Sequence, residues 1–240
     1  MTIDFLFPVL VYNTSLDLRG RRRDHRAMLD YVDQFKFNNL SDYSTTGDTV
    51  NDFQVSNNPA FSWLNKEVYK HTLEYLKEFG IDTDSLDVFS SKSWPVVCNP
   101  ERKTDKDDLV IQKHNHPNSH LSAVFYLQTD SQSGGMLKLH ASHSHPIRYV
   151  PLQPFIKEPR YAAMDSMYYK PTEGMLVIFP SSVEHEVSEY HGEFSRYSIT
   201  YDLIVTSKSN LDTDNEMCIV NPINWTLLND QEKEEEILSK

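Results

Sequence analysis

The spacing of apolar and polar positions divides the chain into a helical front and a β-rich body. The opening run "LFPVLVY" (residues 6–12) reads as a buried β segment. A helix is predicted from near Asp24, because Met28, Tyr31, Val32 and Phe35 fall on one face at helical spacing. A second is expected after Asn58, which can cap it. Pro59 suits its first turn, Leu64, Val68, Leu76 and Phe79 mark its apolar face, and Gly80 ends it. Beyond these helices the period changes to two. A short strand is expected around Trp94–Val97, then a charged loop and a strand from near Leu109. In "LSAVFYL" (121–127), Ser122, Val124 and Tyr126 alternate with Leu121, Ala123, Phe125 and Leu127. "GMLVIFP" has the continuous apolarity of a buried strand, "SSVEHEV" starts another at His185, and "RYSITYD" alternates again, with turns at "DSQSGG" and "KPTEG". No internal repeat is seen. The expectation is one domain over 1–240, with supporting elements in 1–90, a β body in 91–205 and an extension in 206–240 that ends in a solvated acidic tail.

Composition narrows this picture. With 240 residues, 39% apolar and 12% aromatic, the chain can bury one substantial core. Its formal charge of −12 argues against a nucleic-acid surface, which needs clustered Lys and Arg. The basic cluster Arg19, Arg21, Arg22, Arg23 and Arg26 reads as the solvated flank of the first helix. The N-terminus lacks the pattern of a secretory signal, and its apolar run is too short to span a bilayer, so a cytoplasmic protein is expected, or one in the host cytoplasm if the source is a virus. Cys98 and Cys218 are too few for a disulfide framework and read as free thiols.

Candidate chemistry gathers in "HNHPNSHLSAVFYL" (114–127). Residues two apart on a strand share a face, so His114 and His116 can converge on one metal ion if the strand continues through them to Pro117. The best third ligand is His185. Further along, Arg196, Ser198 and Thr200 share one face of "RYSITYD", three donors of which one is permanently cationic, and a plausible cradle for a carboxylate.

These motifs resemble the iron(II)- and 2-oxoglutarate-dependent oxygenases, in particular the prolyl-hydroxylase-like branch and its small bacterial and viral members. The resemblance covers about residues 94–205, with the "LFPVLVY" opening and "SKSW" less specific. It implies a mostly β fold with flanking helices, a double-stranded β-helix (a jelly roll, or cupin-like barrel). It also implies Fe(II) held by His114, His116 and His185, 2-oxoglutarate held by Tyr126, Arg196, Ser198 and Thr200, and molecular oxygen as the third reactant. Hydroxylation of a small molecule or a protein side chain would release succinate and CO2. Gly134, Gly135 and Gly174 fall in the turns this pattern expects.

One departure stands out. His116 occupies the place of the family's carboxylate ligand, giving H-x-H where two histidines and a carboxylate are usual. Glu184 and Glu186 flank His185 and should point away from it, because neighbours on a strand alternate faces. His120 competes with His116, since the turn at Pro117 could swing it back to the metal. His140, His143 and His145 read as a polar loop, and His25, His71 and His191 as surface or structural histidines. The segments "TTGDTVNDFQVSNN" and "HSHPIRYVPLQPFIKEPRYAAMDSMYY" are candidate lids, although the aromatics of the second read equally as core or interface. Two alternatives share the barrel. A cupin-like metalloprotein would use the histidines but does not require the Arg196 cradle, and a catalytically silent jelly-roll binding module needs no metal.

Overall fold

The computed structural model describes residues 8–35, 54–100, 110–141, 165–208 and 219–226. Two antiparallel sheets face one another. Strands β1 (Tyr12–Ser15), β2 (Leu86–Cys98), β4 (Leu121–Gln128), β7 (Met175–Pro180) and β9 (Arg196–Ser207) form the first, in the order β1-β7-β4-β9-β2. The smaller sheet contains β3 (Ile111–His114), β5 (Leu137–His140), β6 (Ser166–Tyr169) and β8 (His185–Val187), in the order β3-β8-β5-β6. This is the double-stranded β-helix, with helices α1 (Arg22–Asp33) and α2 (Ser62–Lys77) on the outer face of the large sheet.

Strand alternation explains the layers. On β9, Tyr197, Ile199, Tyr201 and Leu203 point outward and join Met28, Val32, Leu64, Val68 and Tyr75 from the helices in one core. The intervening residues Arg196, Ser198, Thr200 and Asp202 are buried too, on the face turned towards the second sheet. A smaller apolar cluster of Val124, Tyr126, Leu137, Leu139, Met175, Val177 and Phe179 fills the space between the sheets.

Helix α2 begins as the sequence suggests. Asn58 Oδ1 accepts a hydrogen bond from Ala60 N at 2.9 Å, and Pro59 opens a 3-10 turn that leads into the helix. Gly80 follows its end with φ +74°. Leu64, Val68 and Leu76 are buried, but Phe79 is half exposed, because the helix has already ended at Lys77.

Several expectations need correction. The first strand starts at Tyr12 rather than within the apolar run 6–12. Leu10 and Val11 pack against different clusters, and ladder pairing with β7 runs only from Tyr12 to Ser15. Residues 1–7 lie outside the described residues. Strand β2 extends back to Leu86, well before Trp94. Its polar "SSKS" hides the strand in the sequence, yet pairing to β9 continues through it with a register shift between Ser90 and Lys92. The end of the second candidate lid is a strand, since Ser166–Tyr169 pairs with β5. Residues 142–164 lie outside the described residues, as do most of the first candidate lid and the acidic tail. The C-terminal end of the first lid, Val55–Asn57, is a 3-10 turn with Val55 fully buried. No helix among the described residues is long and apolar enough to cross a membrane.

Because core and interior meet on a single strand, an outward substitution should cost stability without touching the inward face. Ile199 has no exposed surface. Ile199→Ala is expected to destabilise the fold by about 2–5 kcal/mol through the cavity it leaves, read as a lower denaturation midpoint with an unchanged m-value.

Candidate active site

Three histidines converge at one end of the sandwich. His114 closes β3 and is the register partner of His185, the first residue of β8. Cross-strand neighbours bring their side chains together, and the two ring centroids lie 4.3 Å apart. The strand does not continue to His116, contrary to the sequence expectation, because β3 ends at His114. His116 is instead tied to the neighbouring sheet: its backbone N–H donates to Ser181 O at 3.0 Å, just beyond β7. Its ring centroid lies 5.1 Å from that of His114 and 4.9 Å from that of His185. One ligand nitrogen from each residue can be chosen so that all three lie within 4.8 Å of one another.

Each ring is also held in one tautomer. His114 Nδ1 lies 2.7 Å from Gln112 O and His185 Nδ1 lies 2.9 Å from Val183 O. A carbonyl can only accept, so Nδ1 carries the proton in both rings and Nε2 carries the lone pair. His116 follows the same rule with a carboxylate as acceptor, Asp202 Oδ1 at 2.5 Å from Nδ1. Burial, reinforced by the neighbouring His114 and His116 and only partly opposed by the Val183 bond, lowers the pKa of His185 to about 3. It is therefore a neutral imidazole at physiological pH, the form that ligates metals.

Other candidates for this centre point elsewhere. His120 Nδ1 accepts from Val205 N at 3.0 Å. Glu184 pairs with Lys113 Nζ and Glu186 with Lys138 Nζ, each at 2.7 Å. His140 is the last residue of β5 rather than part of a loop, with Nε2 buried and 3.4 Å from Glu186 Oε1. His143 and His145 lie outside the described residues. Of the histidines read as structural, His71 sits between Tyr12 and Glu74 on α2, His25 contacts Leu127 O, and His191 is mostly exposed beside Glu189.

Deeper between the sheets lies Arg196, fully buried. Register alignment places Cys98 opposite it on β2 and ranks Tyr126, Ser198 and Val96 side by side on β4, β9 and β2. Val124, Thr200 and Trp94 form the next rank. The Arg196 guanidinium donates from Nη1 to Cys98 Sγ at 3.2 Å, and its Cζ lies 5.2 Å from the centroid of the Tyr126 ring. No carboxylate pairs with it among the described residues. Its Nε and the Tyr126 hydroxyl are buried without a hydrogen-bond partner. Burial pushes the Tyr126 phenol above its ordinary pKa, with Arg196 pulling in the opposite direction, so the hydroxyl keeps its proton and can donate. Orphaned donors around a buried cation describe a receptor for an anion.

Comparison with known proteins decides what this pair of features belongs to. Residues 92–202 match the family model described as "Putative 2OG-Fe(II) oxygenase". Over this segment, just under half of the 240 residues, the chain matches the 2OG-Fe(II) oxygenases. The matched segment runs from Lys92 to Asp202 and so contains the three converging histidines and every cradle residue. Among solved structures, the fold recurs in AviO1 from Streptomyces viridochromogenes Tue57, at 12% identity over 82% of this chain and 90% of that one, with a TM-score of 0.52. It recurs also in SnoN, a non-heme alpha-ketoglutarate-dependent epimerase from nogalamycin biosynthesis, at 12% identity over 82% of this chain and 78% of that one, TM-score 0.52. A Pseudomonas putida prolyl-4-hydroxylase aligns at 15% identity over 81% of this chain and 91% of that one, TM-score 0.48. No curated protein matches the chain in sequence.

A 2OG-Fe(II) oxygenase works with Fe(II), 2-oxoglutarate and molecular oxygen. The residues present here fit both groups on chemical grounds: three clustered imidazoles suit a divalent metal, and a guanidinium with no carboxylate partner among the described residues, beside an unpaired phenol, suits a dicarboxylate. Sequence reasoning missed two contributors. Asp202 sits two residues beyond Thr200 on the same alternating face, and Cys98 sits directly across the ladder from Arg196. The period-two pattern contained the first signal. The second needed the pairing register.

Gly135 shapes the pocket as well. Its φ is +63°, and a Cβ built there would lie 3.0 Å from Arg196 Cδ and 3.2 Å from Nε. Gly135→Ala should therefore displace the Arg196 side chain and cost more than about 1 kcal/mol in a denaturant titration. Gly80→Ala, also at positive φ but with nothing within 4 Å of the added carbon, should cost less.

Proposed function

We propose that this oxygenase hydroxylates its substrate at a centre held by His114, His116 and His185, with 2-oxoglutarate anchored by Arg196, Tyr126, Ser198 and Thr200. The observation that carries the reading is the acid-free, fully buried Arg196. A guanidinium is costly to bury alone, and a cosubstrate that brings its own carboxylate offsets that cost each time it binds.

In this reading the histidines hold Fe(II) through Nε2, while Gln112 O, Val183 O and Asp202 fix the three rings through Nδ1. The bound metal with its cosubstrate supplies the oxidative chemistry: 2-oxoglutarate is oxidatively decarboxylated to succinate and CO2, with one atom of O2 entering succinate and the other a substrate C–H bond. Arg196 and Tyr126 would hold the distal carboxylate by charge-assisted hydrogen bonds and so orient the keto acid. Ser198 and Thr200 line the same face with small hydroxyls. The apolar cluster of Val124, Val177 and Phe179 keeps water out of the space between the sheets.

A cupin-like alternative finds less support. Such a site would draw a fourth ligand from the 119–120 region, yet Ser119 Oγ bonds Ser181 Oγ at 2.7 Å and His120 faces Val205. The chain's charge of −12 favours a small molecule or a protein side chain over nucleic acid as substrate. A buried free thiol at Cys98, lining the pocket, fits a reducing compartment and supports the cytoplasm as the site of action.

Succinate production from 2-oxoglutarate by the anaerobically Fe(II)-loaded protein, measured on admission of oxygen, tests the activity. Arg196→Met, which keeps the volume and removes the charge, should raise KM for 2-oxoglutarate by about 10- to 100-fold, in line with roughly 1.5–3 kcal/mol for a lost charge-assisted bond. An unchanged KM in a folded variant would overturn the cosubstrate assignment. For the metal, His116→Ala should abolish tight Co(II) binding while His120→Ala leaves it intact. The reverse ranking would replace His116 with His120 in the ligand set.

A further inference from the structure

The three-histidine centre contains no carboxylate among its ligands, but one lies a single hydrogen bond away. Asp202 is 8% exposed and His116 9%. Their 2.5 Å contact is the only ion pair of Asp202 among the described residues. Lys92 is opposite Asp202 in the ladder, with its ammonium 4.6 Å from the Trp94 ring centroid. The Asp202 carboxylate thus faces inward, in the rank next to Thr200, and leans on the ring of a proposed ligand.

Resting on the metal reading above, we propose that Asp202 is a positioning residue that returns the missing carboxylate charge to the centre through His116. Two consequences follow from the geometry. Accepting from Nδ1, Asp202 leaves Nε2 as the only nitrogen of His116 with a lone pair, and so fixes which atom meets the metal. By pulling on the Nδ1 proton it also makes that imidazole a stronger donor and spreads negative charge towards a dication. A divalent ion with three neutral imidazoles carries +2, and adding Asp202 reduces the total to +1, the same as a two-histidine, one-carboxylate site. The carboxylate has moved from direct ligation to one bond further out, while the open positions around the metal are preserved.

Neighbouring groups keep the contact in place. His116 N donates to Ser181 O, Ser122 Oγ lies 3.4 Å from His116 Nδ1, and Ser122 Oγ bonds Ser181 Oγ at 2.9 Å. Trp94 covers the other side of the imidazole, with ring centroids 5.6 Å apart. The ring therefore has little freedom to turn, and what remains for Asp202 to set is tautomer and charge.

Co(II) titration of the metal-free full-length protein tests this, followed by visible absorption and by calorimetry. Asp202→Asn keeps an acceptor oxygen and removes the charge, so the fold should persist by circular dichroism while Co(II) affinity falls about 10- to 100-fold and the visible band changes in shape or intensity. A residue with only a structural role would lower the thermal midpoint of the metal-free protein and leave the Co(II) constant and spectrum alone. That result, or a Co(II) affinity within twofold of wild type, overturns the proposal. Should Asp202→Asn unfold, Asp202→Glu supplies the second measurement: retained charge with near-wild-type affinity and spectrum supports the proposal, and affinity lost despite the charge overturns it. Failure of the wild-type protein to bind Co(II) at all would instead overturn the metal reading, so the two failures are distinguishable.

Discussion

The architecture depends on the period-two alternation of a single strand. β9 sits between β4 and β2 in the large sheet, so both of its edges are hydrogen bonded and both of its faces are buried. One face must be apolar to hold α1 and α2. The other is free to be polar, provided that each polar group finds a partner. Tyr197, Ile199, Tyr201 and Leu203 meet the first requirement, and Arg196, Ser198, Thr200 and Asp202 occupy the second. A slip of one residue would bury the guanidinium against the helices and turn the aromatics into the site, so register and function are specified together.

That constraint explains why some features were legible in the sequence. In "RYSITYD" the polar and apolar sets alternate without interruption, so the shared face of Arg196, Ser198 and Thr200 could be read directly, as could the split of "LSAVFYL". His185 was legible because it begins an extended segment. Other features depend on contacts that sequence order does not encode. The long first half of β2 carries polar residues and becomes strand only because β9 pairs with it. His116 comes near its companions without lying on β3, because a backbone bond to Ser181, a residue 65 positions away, replaces the ladder. Alternation along β3 would bring this ring beside His114, but the Ser181 bond does so without the strand. His120, equally suitable by type, is held by Val205, and no local pattern could have separated the two.

The interior is polar where a core would be apolar. At one end, three imidazoles lie together. Further along lies a guanidinium with no carboxylate partner among the described residues, its Nε orphaned beside a phenol that has a proton to donate. A protein that needed only stability would fill such positions with apolar side chains, since well-packed hydrophobic residues often do as well as buried ionic groups or better. The polar residues are retained in a barrel whose surrounding positions are Val, Phe, Leu and Met. The simplest physical account is that a dication and a dicarboxylate complete the charge balance, as the oxygenase family's chemistry requires.

Asp202 ties these two ends into one electrostatic unit. It shares a strand face with Arg196, separated by the hydroxyls of Ser198 and Thr200, and it touches the imidazole of His116. The strand thus presents a cation at one end of its polar face and an anion at the other, each suited to a ligand of opposite sign. 2-Oxoglutarate is itself anionic at both ends, so a carboxylate placed directly in its path would repel it. Set behind the His116 ring, Asp202 would keep its charge near a metal held by that imidazole without facing the cosubstrate directly. The substitution of H-x-H for the usual carboxylate ligand is in this view a relocation of charge, made possible because the sixth residue after an inward-facing arginine on an alternating strand also faces inward.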